Sequence, residues 1–236
     1  MSFTTVESGR LSIIASDFDA RPISYLEGTD RLGYEPEVMR AICDRLGLEP
    51  IWYDLPLSTF YTNLSNGKYD VVCFHQVITQ ERRAWADFTR PYGLFDKAVL
   101  VQKESPVQSP KDLKGLKLGG LVGSTNLETA ADFPDPEIIE FNSNQPILPE
   151  MLVALRQGKI DALVDDELLL KAVAASDPTL RIAFPIPTQL PSGIGVIPGN
   201  RELLQALNDT LNQLLKEGTL VKLWLQWIPD KPFPFP

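Results

Sequence analysis

Apolar runs suited to strands alternate along the chain with segments whose apolar residues recur at helical spacing. Residues 11–16 form the first such run and predict a strand. Residues 36–48 predict a helix: Pro36 stands in its first turn, Val38, Met39, Ile42 and Leu46 share one face, and Gly47 lies at its end. Strands are predicted at 51–55 and 70–74, with a helix at 58–65 between them. This β-α-β-α-β order belongs to a parallel or mostly parallel α/β sheet. The pattern begins again after about residue 105, with strands at 117–122 and 138–141, a helix at 149–157 and a strand at 162–164. Two helices, 200–216 and 219–227, follow with a break at Gly218, and the proline-rich tail 229–236 is expected to be extended.

A short internal repeat organises this pattern. Leu64-Ser65-Asn66-Gly67-Lys68-Tyr69-Asp70, followed by Val-Val-Cys-Phe, matches Leu155-Arg156-Gln157-Gly158-Lys159-Ile160-Asp161, followed by Ala-Leu-Val. Both copies have a helix end, a glycine cap, a lysine and then a buried strand. Either two helix-to-strand turns are alike by chance, or the chain holds two similar α/β lobes. In the second case each copy ends in polar residues at the carboxyl end of its strand, His75 and Gln76 in one, Asp165 and Asp166 in the other. Ligands of open α/β sheets bind at that end, and two facing lobes would set these residues across one cleft. The segments 91–97 and 184–192, the latter with three prolines, look like connections. The expected architecture is therefore two α/β lobes joined by a two-strand hinge. Lobe 1 is residues 1–93 plus 194–236, lobe 2 is 98–183, and the hinge crossovers are 94–97 and 184–193.

Composition narrows the chemistry. The 236 residues are 44% hydrophobic and 22% charged, an ordinary globular balance with room for one large domain or two small lobes. Lys and Arg number 22 against 31 Asp and Glu, a net charge of −9, which argues against nucleic acid or an anionic membrane surface as a partner. The longest uncharged stretch, 182–200, contains four prolines and cannot be a spanning helix. His75 is the only histidine and there are two cysteines, so zinc sites of the four-Cys or two-Cys-two-His kind are excluded and any Ser-His-Asp triad would have to use His75. Cys43 and Cys73 fall in apolar patterns and are expected to be buried free thiols. Residues 1–5 lack the basic and apolar stretches of a signal peptide; an exported form would begin after its leader, with Met1 an expression remnant.

Six short motifs then stand in order: Leu32-Gly33-Tyr34-Glu35-Pro36-Glu37, Gly67-Lys68-Tyr69-Asp70-Val71-Val72, Ile78-Thr79-Gln80-Glu81-Arg82, Asp87-Phe88-Thr89-Arg90-Pro91-Tyr92, Asp112-Leu113-Lys114-Gly115-Leu116-Lys117-Leu118-Gly119 and Gly123-Ser124-Thr125. In this order and spacing they resemble the extracytoplasmic solute-binding proteins of amino-acid ABC importers, bacterial solute-binding protein family 3, with the type II periplasmic-binding fold. The resemblance covers nearly the whole chain. It implies a non-enzymatic periplasmic or otherwise extracytoplasmic receptor, expected to be a monomer. Such a receptor takes a free amino acid without metal or cofactor and delivers it to an ABC permease.

Residue by residue, the resemblance implies that Arg82 holds the ligand carboxylate through its planar guanidinium. A solvated arginine between Glu81 and Arg83 is the plain alternative. Ser124 and Thr125 would grip the same carboxylate, where a tight turn is the alternative; the glycines at 115, 119, 120 and 123 fit neither a Walker nor a dinucleotide motif. Asp166 would take the ammonium, and capping a helix over 167–175 is the competing role. Strand alternation allows only one of Asp165 and Asp166 to face the ligand. Phe60 would be an aromatic wall for the side chain or ordinary core. Asp17 would touch the ligand side chain, favouring a basic or amide group over an acidic one, although Arg21 stands nearby. His75, Gln76 and Val77 replace the small hydroxyl residues of many relatives, so Val77 retains only backbone groups, and the His75 imidazole has two orientations open to it, toward the ligand or away from it. Ala20 replaces the usual aromatic. Two other readings remain: a cyclohexadienyl-dehydratase-like enzyme on the same fold, for which no surplus general acid is evident, and the ligand-sensing domain of a larger membrane receptor or permease fusion.

Overall fold

A computed structural model of the protein describes residues 3–142 and 147–236. Strand β1 (Arg10–Ala15) is followed by a small hairpin of β2 (Tyr25–Glu27) and β3 (Asp30–Leu32), helix α1 (Tyr34–Leu46), β4 (Glu49–Asp54), α2 (Phe60–Ser65), β5 (Val71–Val72) and β6 (Asp87–Phe88). Then come β7 (Gly93–Gln102), β8 (Lys117–Leu121), α3 (Thr125–Ala131), β9 (Glu137–Phe141), α4 (Ile147–Arg156), β10 (Ala162–Asp166), α5 (Glu167–Ser176) and β11 (Leu180–Ser192). The chain finishes with β12 (Gly195–Val196), α6 (Arg201–Lys216) and α7 (Thr219–Trp227). The periodicity of α6 explains its docking: Leu203, Ala206, Leu207, Thr210, Leu211 and Leu214 are buried, at the three- and four-residue spacing of one helix face. The tail differs from an extended segment. It packs back on α7, with Phe233 edge-on to Trp224 at 5.7 Å and the Trp224 indole N–H donating to the Lys231 carbonyl at 2.7 Å.

The chain divides into two units, 1–94 with 190–236, and 95–189. Unit 1 holds the sheet β4-β1-β5-β12-β6, in which β4, β1 and β5 are parallel and β12 is antiparallel to both β5 and β6. Unit 2 holds β11-β7-β10-β8-β9, with β10, β8 and β9 parallel and β7 antiparallel to β10. The chain leaves unit 1 within β7 and returns within β11, two strands that are neighbours in the second sheet. The last residue of unit 2, Gln189, has a left-handed backbone (φ 48°), and its backbone and side-chain N–H groups both donate to Asp96. Five of the six β1 residues are buried, as expected of a central parallel strand covered on both faces.

The repeated turns are alike in detail. Gly67 (φ 76°) and Gly158 (φ 68°) both take the left-handed conformation that a side chain disfavours, which ends the helix and reverses the chain toward the strand. Three residues later an aspartate clamps the neighbouring parallel strand. Asp70 N–H donates to the Ser12 carbonyl, and its carboxylate accepts the Ser12 N–H at 2.8 Å and the Ser12 hydroxyl at 2.6 Å. Asp161 N–H donates to the Lys117 carbonyl, and its carboxylate accepts the Lys117 N–H at 2.8 Å. Asp70 also takes the Val6 N–H at 2.7 Å.

Cys43 and Cys73 are free and buried; burial pushes the Cys43 thiol up to about 12 and raises Cys73 well above its ordinary value. No helix among the described residues is long and apolar enough to cross a membrane.

Asp70 is 1% exposed, whereas Asp161 is half-buried, so the two clamps differ in how many donors their loss would strand away from water. Asp70→Ala is expected to lower the free energy of unfolding by about 3 kcal/mol and Asp161→Ala by about 1 kcal/mol, because stranded buried donors cost more than solvated ones. Urea denaturation followed by circular dichroism measures both; equal losses would contradict this account.

Candidate functional site

In unit 1 the parallel strands β1 and β5 deliver their following loops to one edge of the sheet. Strand β5 stops at Val72, two residues short of the run expected from sequence, and the chain turns at His75, whose φ of 47° is left-handed. The cause is Glu35, fully buried in the first turn of α1, which accepts the His75 N–H at 2.8 and 2.9 Å on its two oxygens. His75 is half-buried and both its ring nitrogens are shielded from solvent. Gln76 follows, its side-chain carbonyl accepting the Tyr61 hydroxyl at 2.7 Å. Val77 offers its carbonyl to Arg82 Nη1 at 3.0 Å.

Arg82 lies in a turn of 3₁₀ helix at residues 82–84, its N–H bound to the Thr79 hydroxyl. Its guanidinium stands 5.7 Å from the centre of the Tyr61 ring. Burial raises the Tyr61 phenol and the Arg82 charge draws it partly back, leaving a neutral hydroxyl at neutral pH. Phe60 is fully buried, edge-on to Phe74 at 6.3 Å, which is the core position foreseen as its alternative. The aromatic side chain beside Arg82 is its neighbour Tyr61.

The loop after β1 separates the two acids considered there. Arg21 pairs with Asp19 at 2.9 Å and lies over the Tyr25 ring at 4.2 Å. Asp17 is exposed and makes no ion pair among the described residues. Arg31, which sequence reasoning passed over, is buried beneath this loop. It donates to the Ser16 carbonyl at 2.9 Å, is paired with Asp54 and stands 5.3 Å from the Trp52 ring.

In unit 2, β8 and β10 likewise end at one edge. Ser124 caps α3: its hydroxyl accepts the Leu127 N–H at 3.2 Å and donates to the Leu121 carbonyl at 2.7 Å. Thr125 is 8% exposed, and no hydrogen bond engages its hydroxyl among the described residues. Buried Lys97 supports this turn from below, donating to the Thr125 carbonyl and, at 2.7 Å, to the Thr129 hydroxyl. A lone lysine in an apolar strand gave no sign of that role in the sequence.

Asp165 and Asp166 differ as alternation requires. Asp165 is buried, accepting from Asn126 at 2.6 Å and from the Asp166 N–H at 2.8 Å. Asp166 is half-buried at the start of α5, and its side chain makes no capping bond. Asp165 thus ties the β10 end to α3. No group of His, Cys, Asp or Glu suited to a metal ion occurs among the described residues.

The profile of the bacterial extracellular solute-binding proteins, family 3, matches residues 13–230. The chain belongs to this family. Among similar proteins, ABC transporter arginine-binding protein 1 of Escherichia coli K12 is 27% identical over 205 residues, covering 84% of this chain and 82% of that protein. The L-cystine-binding protein TcyJ of the same organism is 29% identical over 212 residues, covering 87% and 78% respectively. A solved structure of an ancestral arginine-binding protein bound to glutamine superposes with a TM-score of 0.84 at 28% identity, covering 95% of this chain and all of that one. The fold of this family 3 protein is therefore that of amino-acid-binding relatives. Those relatives carry binding names rather than enzyme names. A further solved structure, an ancestral amino acid-binding protein described as a precursor of cyclohexadienyl dehydratase, superposes with a TM-score of 0.82 at 25% identity, covering 93% of this chain and 95% of that one; it too carries a binding name, and the dehydratase reading is not favoured.

Proposed function

We propose that this protein captures a free polar L-amino acid outside the cytoplasm, a basic or amide side chain being favoured, and delivers it as a monomer to the permease of an ABC importer. In this reading Arg82, pre-oriented by the Val77 carbonyl and the Tyr61 face, receives the ligand carboxylate, and the Thr125 hydroxyl adds a donor from unit 2. Ser124 acts through the turn it caps. Asp166 takes the ammonium, and backbone groups of His75 and Val77 complete the set in unit 1. Phe60 backs the Tyr61 helix from the core.

The observation that carries the side-chain preference is Asp17. It is exposed and makes no ion pair among the described residues, while Asp19 holds Arg21, so the loop offers one uncompensated acid. An anionic ligand side chain would be repelled there and a guanidinium, ammonium or amide would find a partner. The arginine and glutamine named for two of the relatives fit that preference, whereas the cystine of the third is neither a basic nor an amide side chain.

In this reading the crossovers, 94–97 and 184–193, act as a hinge that responds to the ligand.

Three measurements test this reading. Arg82→Ala is expected to lose about 3–5 kcal/mol of binding free energy by calorimetry, as for the loss of one partner of a buried ion pair; wild-type affinity would overturn the pocket assignment. In a thermal-shift screen of the twenty amino acids, arginine, lysine, histidine or glutamine should raise the melting temperature. Stabilisation by aspartate or glutamate alone would sink the Asp17 argument. Small-angle scattering should show a smaller radius of gyration with the stabilising ligand than without it.

A further inference from the structure

One buried acid has no part in the ligand contacts above. Glu35 is fully buried in the first turn of α1, inside a set of aromatic residues: Tyr34 packs edge-on to Trp224 at 5.3 Å, and the Tyr34 hydroxyl donates to the Tyr92 carbonyl at 2.8 Å. A carboxylate in such surroundings is costly unless donors converge on it. Here they do: the His75 N–H reaches both oxygens, and the Tyr92 hydroxyl donates to Oε1.

Both donors belong to segments that frame the Arg82 region. His75 is a non-glycine residue in the left-handed conformation, which persists only where the surroundings impose it. Once the chain has turned there, residues 76–78 run along the returning crossover. The Gly193 N–H donates to the Gln76 carbonyl at 3.1 Å, Val77 pairs with Ser192, and the Ile78 N–H donates to the Pro191 carbonyl at 2.9 Å. Tyr92, the other donor, lies just before β7, and its N–H donates to the Ser192 carbonyl at 3.0 Å. The fit is close: a Cβ on Gly193 would stand 2.8 Å from the Ile78 side chain and 3.2 Å from the Thr89 carbonyl. The carboxylate thus fixes the turn that aims the Val77 carbonyl at Arg82, and it holds the hydroxyl of Tyr92, whose N–H in turn holds the Ser192 carbonyl on the segment along which residues 76–78 are laid.

We propose that Glu35 is a positioning residue of the amino-acid site: through the left-handed turn at His75 it sets the Val77 carbonyl and so the orientation of the Arg82 guanidinium. The inference rests on the reading of Arg82 as the carboxylate-binding group, and it concerns how that group is aimed.

The test is Glu35→Gln, which keeps the shape but puts an amide N–H₂ where one accepting oxygen stood. Calorimetry with the amino acid that most raises the wild-type melting temperature should show affinity about tenfold weaker. Glycine adopts a positive φ without penalty, so in a His75→Gly background the same change should cost about threefold or less. Equal losses in both backgrounds, or no loss in either, would overturn the proposal. NMR supplies a readout independent of ligand: Glu35→Gln should move the Arg82 Nε–H resonance as well as the His75 amide. An unmoved Arg82 signal would show that Glu35 serves the core alone. If no amino acid binds the wild type, the functional reading fails, while the NMR comparison still decides whether Glu35 orients Arg82. Should Glu35→Gln not fold, Tyr92→Phe removes the other donor and is expected to weaken binding about threefold and shift the same Arg82 signal; no change in either would count against the proposal.

Discussion

In each unit a carboxylate at the start of a central strand binds the backbone of its parallel neighbour, and the placement of the candidate ligand residues depends on that clamp. Parallel strands joined by helices have no tight hairpin to set their register, so register must come from side chains or packing. Asp70 sets β5 against β1 at Ser12, and Asp161 sets β10 against β8 at Lys117. Once those starts are aligned, the carboxyl ends are aligned as well. The loops after β1 and β5 carry Asp17 and His75 to one edge of unit 1, and those after β8 and β10 carry Thr125 and Asp166 to one edge of unit 2. The repeat is thus a register device whose product is found at the opposite end of each strand.

At those ends, buried charge is used to shape backbone. Glu35 holds the His75 N–H, Lys97 holds the Thr125 carbonyl, Asp165 holds the Asp166 N–H, and Arg31 holds the Ser16 carbonyl. All four charged side chains are at most 4% exposed, and each is hydrogen-bonded to backbone at or just beyond a strand's carboxyl end. Burying such groups is unfavourable unless their bonds are made, so each bond also restricts the loop to one conformation. Asp17, Arg82 and Asp166 are more accessible than these four.

Much of the fold was legible in the sequence because its signals are local. The stripe of α6 and the two Gly-Lys-x-Asp turns can be found by spacing alone. The rest depended on partners distant in the chain. Strand β5 was expected to reach residue 74, but Glu35, forty positions away, turns the chain at His75. The tail was expected to be extended, yet Trp224 draws Phe233 back. Phe60 and Tyr61 are adjacent in a six-residue helix too short for its apolar period to say which ring faces the core. Packing against Phe74 makes it Phe60 and leaves Tyr61 beside Arg82. For Lys97 and Asp165 the sequence shows a charge in an apolar strand, without indicating which carbonyl or amide it serves.

The two buried cysteines have a use outside binding. With the Cys43 thiol pushed up to about 12 and Cys73 raised well above its ordinary value, neither supplies a nucleophilic thiolate near neutral pH while the protein is folded. Both thiols are also shut away from solvent, so the folded chain is expected to react slowly with maleimides and similar labels. A single cysteine introduced on an exposed loop would be the sole address for a fluorophore, so the scaffold could be converted into an optical reporter of its ligand without first removing its own thiols.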